Sequence, residues 1–153
     1  MDGEPAQVKV VLPGVAEVVS LGPSHVKVFL GGMDTGGRAV LVEEHLPPGP
    51  GSPPRHVHLR MDHTFFVTSG TVCFTAGSES VEVGPGGAVF IPRGVPHTFE
   101  NGSALEEATF LEFDAPGRFD SYFRELSVLL REEGFVVNRI RELQSQYDTW
   151  PPS

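Results

Sequence analysis

Four of the six histidines lie between positions 56 and 97. His56 and His58 are two residues apart, so on a strand both imidazoles point to the same face. His63 shares its face with Phe65, which places His63 inside if that phenylalanine belongs to the core. His97 follows a Pro-Arg-Gly-Val-Pro turn and opens another predicted strand. Because imidazole binds Zn, Fe, Cu and Ni, histidines that converge on one side of a sheet predict a metal site.

The spacings are more specific when they are read together. Residues 51–70 follow the pattern G-x4-H-x-H-x4-H-x6-G, and residues 86–101 follow G-x5-P-x-G-x2-H-x3-N. These segments resemble the two motifs of the cupin superfamily, and in particular its small single-domain members of the quercetinase and polyketide-cyclase type. The second motif matches at every signature position, whereas Gly51 is one residue closer to its histidine than is usual.

The resemblance implies an all-β fold, the double-stranded β-helix or cupin jelly-roll barrel. It also implies a metal held by His56, His58 and His97, together with a glutamate where this chain has His63. A neutral nitrogen in place of a carboxylate would leave a divalent ion with its full charge and increase its Lewis acidity. The predicted ligands are therefore His56, His58, His63 and His97. The alternative is that His63 marks a motif that has lost its metal.

The elements that must position these histidines are short strands. Stretches rich in Val, Phe and Thr recur about every ten residues between Gly, Pro and Ser, which is typical of a sandwich or barrel. The predicted strands are residues 8–12, 16–21, 25–30, 39–46, 55–58, 63–68, 71–75, 80–83, 88–91, 98–100 and 108–113.

The periodicity becomes helical after Pro116. Apolar residues then recur at helical spacing, and Gly134 ends that pattern. They are Phe119, Tyr122, Phe123, Leu126, Leu129 and Leu130. A second, shorter helix is predicted around Ile140 and Leu143, with Asn138 as its N-cap. We therefore expect one domain over residues 1–153, with a barrel core at about 16–114 and short C-terminal helices within 117–148.

Two further sets of residues are candidates for the site. Alternation sends either Glu43 or Glu44 inward, and Glu44 is the candidate catalytic base, although surface positions for both are the simpler interpretation. Phenylalanines are expected to line the barrel and its substrate pocket. These are Phe65, Phe74, Phe90, Phe99 and Phe113.

Composition limits the class of function. The 153 residues carry a formal net charge of −9, which disfavours nucleic acid and anionic membranes as partners. The chain has a single cysteine, Cys73, and so cannot form an internal disulfide, which suits a reducing compartment. The first residues lack the features of a signal peptide, and we expect a cytoplasmic protein.

Three functions follow from the resemblance. The first is a quercetinase-like dioxygenase that acts on an enolisable or aromatic substrate and uses one divalent Fe, Ni, Mn or Cu ion. The alternative is a zinc-dependent aromatic polyketide cyclase with a four-histidine site. The third is a cupin that binds a ligand without catalysis. The expected partner is a small apolar or aromatic molecule, and the resemblance also implies a homodimer that pairs through residues 7–12.

Overall fold

The computed structural model describes residues 7–153. It contains nine strands followed by two helices. The strands are β1 (Glu17–Leu21), β2 (Ser24–Leu30), β3 (Val40–Leu46), β4 (Asp62–Ser69), β5 (Val72–Ala76), β6 (Glu79–Val83), β7 (Ala88–Ile91), β8 (His97–Asn101) and β9 (Ala108–Ala115). The helices are α1 (Phe119–Glu133) and α2 (Val137–Ser145).

The strands form two antiparallel sheets that pack face to face. One sheet has the order β1-β2-β3-β9-β4-β7 and the other has the order β6-β5-β8. The side chain of Phe65 on β4 packs against Phe74 on β5, with ring centroids 5.1 Å apart, and so joins the two sheets. The fold is the all-β double-stranded β-helix, with short helices after the barrel, as the sequence predicted.

Two of the predicted strands differ in the structure. Residues 55–58 form single bridges rather than a strand, and His56 pairs with His97 at the open edge of β8. Pro53 and Pro54 precede this segment and have no N–H to donate to a sheet. Residues 8–12 form no strand in the described part of the chain, and Val8 is 90% exposed. The predicted dimer through residues 7–12 therefore rests on a segment without a sheet partner here, and the dimer stays a prediction.

The barrel has two buried apolar clusters. One lies between the two sheets, where Phe65, Phe74 and Phe110 are almost fully buried. The other lies at the opposite end, where the inner face of β1 to β3 packs against the two helices through residues such as Val42 and Phe123. A cavity lies between the two clusters, and residues of both clusters line it together with His56, His63 and His97.

The helices close the end of the barrel. In α1 the buried side chains lie in the first two turns, and Gly134 ends the helix with φ of 73°, as its position predicted. The predicted N-cap of α2 is wrong, because the chain stays extended up to Val136 and Asn138 lies inside the first turn. No helix within residues 7–153 is long and apolar enough to cross a membrane.

Candidate metal centre

Three of the predicted ligands converge inside the barrel. The ligand-capable atoms of His56, His58 and His97 all lie within 4.8 Å of one another, and the three side chains are buried. The ring centroid of His56 is 4.9 Å from that of His58 and 4.5 Å from that of His97. The antiparallel bridge between His56 and His97 holds the two ligand segments side by side.

The backbone fixes which ring nitrogen of each histidine is free. Nδ1 of His56 lies 2.8 Å from the carbonyl oxygen of Pro54, and Nδ1 of His97 lies 2.9 Å from that of Val95. A similar contact joins Nδ1 of His58 to a carbonyl oxygen 2.9 Å away. Because a carbonyl oxygen only accepts, each Nδ1 carries the proton and each Nε2 keeps its lone pair. The Nε2 atoms of His58 and His97 are buried without a hydrogen-bond partner, as expected of atoms that bind an ion.

The three imidazoles stay neutral over a wide pH range. Burial lowers the pKa of His56 to about 3 and the pKa of His97 to about 4. Burial, and then the neighbouring His63, lowers the pKa of His58 as well. A neutral imidazole is the form that binds a metal, so the arrangement is ready to take an ion at neutral pH.

His63 lies beside these three residues in a different environment. Its ring stacks on that of His58, with centroids 4.2 Å apart. Its Nδ1 lies 2.8 Å from Oδ1 of Asp114 and 3.1 Å from Oε1 of Glu112, as close ion pairs that lack the alignment of hydrogen bonds. Its Nε2 is buried without a partner, like those of His58 and His97. His63 therefore presents a buried Nε2 beside the three histidines, while its ring forms a second group with Glu112 and Asp114, whose ligand-capable atoms also lie within 4.8 Å of one another.

The carboxylates reverse the effect of burial on His63. Burial alone would lower the pKa of His63, but Asp114 and Glu112 outweigh it and raise that pKa to about 10. Burial and the adjacent Asp114 raise the pKa of Glu112, while His63 opposes the shift. The cluster therefore balances buried negative charge against one imidazolium, and an ion bound at Nε2 of His63 would displace that proton.

Glu112 and Asp114 are site residues that the sequence analysis did not identify. Strand β9 buries alternate residues from Ala108 onward, so the same alternation places both carboxylates inside the barrel. Glu44 on β3 also faces inward and is only 8% exposed. Burial, followed by repulsion from Glu112, raises the pKa of Glu44 well above its usual value. The structure thus places the candidate base inside the barrel, where burial favours the neutral form of its carboxyl group.

The centre faces a cavity of about 480 Å³. The sheet side of this cavity includes His56, His63 and His97, together with Glu44 and Glu112. The proline-rich loop of residues 47–54 and the two C-terminal helices form its other walls. Within residues 7–153, no lysine or arginine lines the cavity.

The family model described as the Cupin domain matches residues 42–113, a stretch that includes all four histidines. The chain belongs to the cupin superfamily. This cupin is 28% identical to the polyketide cyclase RemF from Streptomyces resistomycificus, with 73% of this chain and 82% of that chain covered and a TM-score of 0.61. No curated protein matches the chain.

Two other solved structures share the fold alone. KdgF from Halomonas sp. is 16% identical to this cupin, with 75% of this chain and 99% of that chain covered and a TM-score of 0.65. An RmlC-like cupin from Shewanella frigidimarina is 14% identical, with 75% of this chain and 96% of that chain covered and a TM-score of 0.63. Proteins of different description therefore share this barrel, and the function has to be argued from the site.

The phenylalanines predicted to line the substrate pocket of the cupin divide into three groups. Phe65 and Phe99 line the cavity, and Phe74 is buried behind them in the core. The prediction is wrong for Phe90 and Phe113, which are 62% and 44% exposed on the outer face of the larger sheet. Both pair across strands with Thr64, whose neighbours His63 and Phe65 face inward, so alternation turns both phenylalanines outward.

Proposed function

We propose that this cupin is a metal-dependent enzyme that closes a ring in an apolar, ketone-bearing substrate of the polyketide type. The observation that carries the proposal is the buried cluster of His56, His58 and His97, with His63 stacked beside it, next to an apolar cavity whose lining contains no lysine or arginine. His56, His58 and His97 would hold one divalent ion through Nε2, with His63 as the fourth ligand. Zinc suits such a nitrogen-only set.

A divalent ion in this position supplies a Lewis acid that polarises a ketone oxygen. Residues of the chain would then transfer protons and exclude bulk water. Glu44 and Glu112 lie together in the cavity wall, and burial raises the pKa of both carboxyl groups above their usual range, which suits them to exchange protons with a substrate. The carbon next to a ketone gives a proton to this pair and bonds to a second carbonyl carbon, whose C=O π bond opens and takes up a proton at oxygen. The same carbon then gives up a second proton as the hydroxyl group leaves, so that one water is released and a C=C bond forms in the ring. Phe65 and Phe99 keep bulk water from the reacting atoms.

The charge of the cavity supports a neutral substrate. Apart from the proposed ion and the histidines that would bind it, the lining offers no cationic side chain to a substrate carboxylate or phosphate, which would also meet the acidic residues Glu44 and Glu112. A poly-ketone or an aromatic ketone carries no such charge and would bury its apolar surface against the phenylalanines. The likeness to the polyketide cyclase RemF, at 28% identity over 73% of this chain, supports the same substrate class.

The second candidate is the quercetinase-like dioxygenase. Neutral imidazoles also suit Fe, Ni and Cu, and the buried carboxylates could take a proton from a phenol or enol. Such an enzyme would consume O2, whereas ring closure by loss of water needs no oxidant. Oxygen dependence therefore separates the two activities.

The proposal is tested with protein reconstituted separately with Zn, Fe, Ni, Mn or Cu. Each form is incubated with a linear aromatic poly-β-ketone and with a flavonol, in air and under nitrogen. We expect the zinc form to cyclise the poly-ketone equally well under both atmospheres. Turnover that consumes O2 and stops under nitrogen would replace the cyclase with the dioxygenase. A metal-free protein with unchanged stability and ligand affinity would instead indicate a cupin that only binds.

The matched control variants are His97→Ala and His25→Ala. His97 belongs to the buried set, whereas His25 stacks on His45, with ring centroids 4.4 Å apart, away from the cavity lining. Loss of turnover and of bound metal in His97→Ala only would support the proposed centre. Equal loss in both variants would contradict it.

A further inference from the structure

The two helices present a polar pair to the cavity, at a distance from the histidines. Tyr122 on α1 and Gln144 on α2 are 6% and 1% exposed, and both line the cavity. The amide nitrogen of Gln144 donates to the Tyr122 hydroxyl at 3.3 Å. The amide oxygen of Gln144 accepts from the Arg141 guanidinium at 3.2 Å. Because a guanidinium only donates, this contact fixes the amide with its nitrogen toward the tyrosine.

This arrangement leaves the proton of the tyrosine hydroxyl without an acceptor. The hydroxyl oxygen of Tyr122 already accepts from Gln144, and within residues 7–153 no residue accepts a hydrogen bond from it. Burial raises the pKa of Tyr122 to about 12, so the hydroxyl stays protonated at neutral pH. A buried O–H donor without a partner is costly, unless a ligand supplies the acceptor.

One aromatic ring separates this donor from the metal centre. The ring of Phe119 contacts His58 edge to face, with centroids 5.5 Å apart, and stacks on Tyr122, with centroids 4.9 Å apart. Phe119 also lines the cavity. A flat molecule lying along this wall would therefore meet imidazoles at one end and the tyrosine hydroxyl at the other.

We infer that Tyr122, oriented by Gln144, is a specificity-determining donor for a ketone or phenol oxygen of a planar, neutral substrate. The inference rests on the proposed function, because it assigns the substrate class of the same cavity. It adds a second recognition point, provided by the C-terminal helices. Substrates with an acceptor oxygen at this position are selected over equally apolar molecules without one.

The test measures binding of 9-fluorenone and of fluorene, which differ by one ketone oxygen. Calorimetric titration uses the zinc-loaded protein and its Tyr122→Phe variant. We expect Tyr122→Phe to weaken binding of fluorenone about five- to tenfold, the loss typical of one buried hydrogen bond, and to leave fluorene within about twofold. The double variant Tyr122→Phe/Gln144→Leu removes the amide that could replace the hydroxyl, and it is expected to show the full loss.

Tyr147→Phe is the matched control. The Tyr147 hydroxyl donates to Glu125 at 2.7 Å outside the cavity lining, so its removal should change neither affinity. Unchanged fluorenone binding in both Tyr122 variants, or equal weakening for both probes, would overturn the inference. Titration of the chelated protein separates the two proposals, because the single ketone oxygen of fluorenone cannot reach both Tyr122 and the ion. A ketone preference that depends on Tyr122 with and without zinc supports the donor, whereas the Lewis acid is tested by the zinc dependence of poly-ketone turnover.

Discussion

Nδ1 of His58 lies 2.9 Å from the carbonyl oxygen of Asp148, a residue 90 positions later in the chain. Asp148 has φ of 51°, in the left-handed region, and its carboxylate accepts from the backbone N–H groups of Leu59 and Arg60 at 3.1 and 2.7 Å. Two further backbone hydrogen bonds join Val57 to Trp150. The segment after α2 therefore returns to the histidine loop and orients one of the proposed ligands.

Asp148→Ala is expected to weaken zinc binding about tenfold, as loss of support for a metal ligand generally does. Alanine removes both carboxylate contacts and is disfavoured at positive φ. Asp148→Asn is the matched control, because asparagine adopts this conformation readily and keeps one acceptor oxygen. Competition with a chromophoric chelator measures both affinities. Equal zinc affinity in Asp148→Ala and the wild type would show that the return segment does not position His58.

His63→Gln is expected to lower the free energy of unfolding of the metal-free protein by about 3 kcal/mol, since it removes the cation from two buried carboxylates. Adding Asp114→Asn should recover part of this loss by removing one of the charges. His63→Glu would place a third carboxylate beside Glu112 and should destabilise the fold more. Urea denaturation measures each variant against His25→Gln. A His63→Gln variant as stable as the wild type would contradict the charge balance of this cluster.

The metal-free protein should lose stability on both sides of neutrality. Unfolded histidines take up protons near pH 6.5, whereas folded His56 and His97 stay neutral down to about pH 3 and 4. The unfolded state then binds more protons, so stability falls as the pH drops below 6.5. The contribution of His63 to stability changes with pH in the opposite direction. Because its pKa is raised to about 10, His63 contributes stability that is lost as the pH rises from 6.5 through 10.

Urea denaturation with chelator present, from pH 4.5 to 10.5, measures how the free energy of unfolding changes with pH on the acidic and on the alkaline side. His97→Asn is expected to reduce the acidic slope and to leave the alkaline slope unchanged, because it removes one buried neutral histidine and keeps His63. Glu44 and Glu112, whose pKa values are raised, oppose the acidic slope equally in both proteins, so an acidic slope that is unchanged in His97→Asn would contradict the assignment of neutral buried imidazoles.

We expect Phe65→Ala to lower the free energy of unfolding much more than Phe90→Ala does, although the two phenylalanines lie on neighbouring strands. Phe65 is 1% exposed and Phe90 is 62% exposed. Loss of the buried ring should lower the free energy of unfolding by about 3–5 kcal/mol, and loss of the exposed ring by less than about 1 kcal/mol. Denaturation curves measure the difference, and fluorenone binding should be unaffected by Phe90→Ala. A similar loss for both variants would contradict the orientation of β7.

The strand pattern of this chain could be predicted from sequence because turn residues separate its apolar runs. The inward direction of His63 followed from its alternation with Phe65. The direction of Phe90 did not follow, because β7 has four residues and its sequence, Ala-Val-Phe-Ile, is apolar on both faces. Only its pairing with Thr64 determines which side faces water.

The polar part of the site was harder to predict. Glu112 and Asp114 continue the inward alternation of β9, but acidic residues at the end of a strand are ordinarily exposed to solvent. Their burial depends on the cation of His63, which comes from another strand. The contact of His58 with Asp148 depends on the path of two helices across the barrel, which local sequence does not specify.

The most direct test of the proposed centre is the metal content of each chain, measured by elemental analysis from Mn through Zn. The protein is reconstituted and purified by size exclusion, and the wild type is compared with His58→Ala and His25→Ala. We predict about one transition-metal ion per chain in the wild type and in His25→Ala, and almost none in His58→Ala. Absence of bound metal in the reconstituted wild type, or equal content in His58→Ala, would contradict the four-histidine centre.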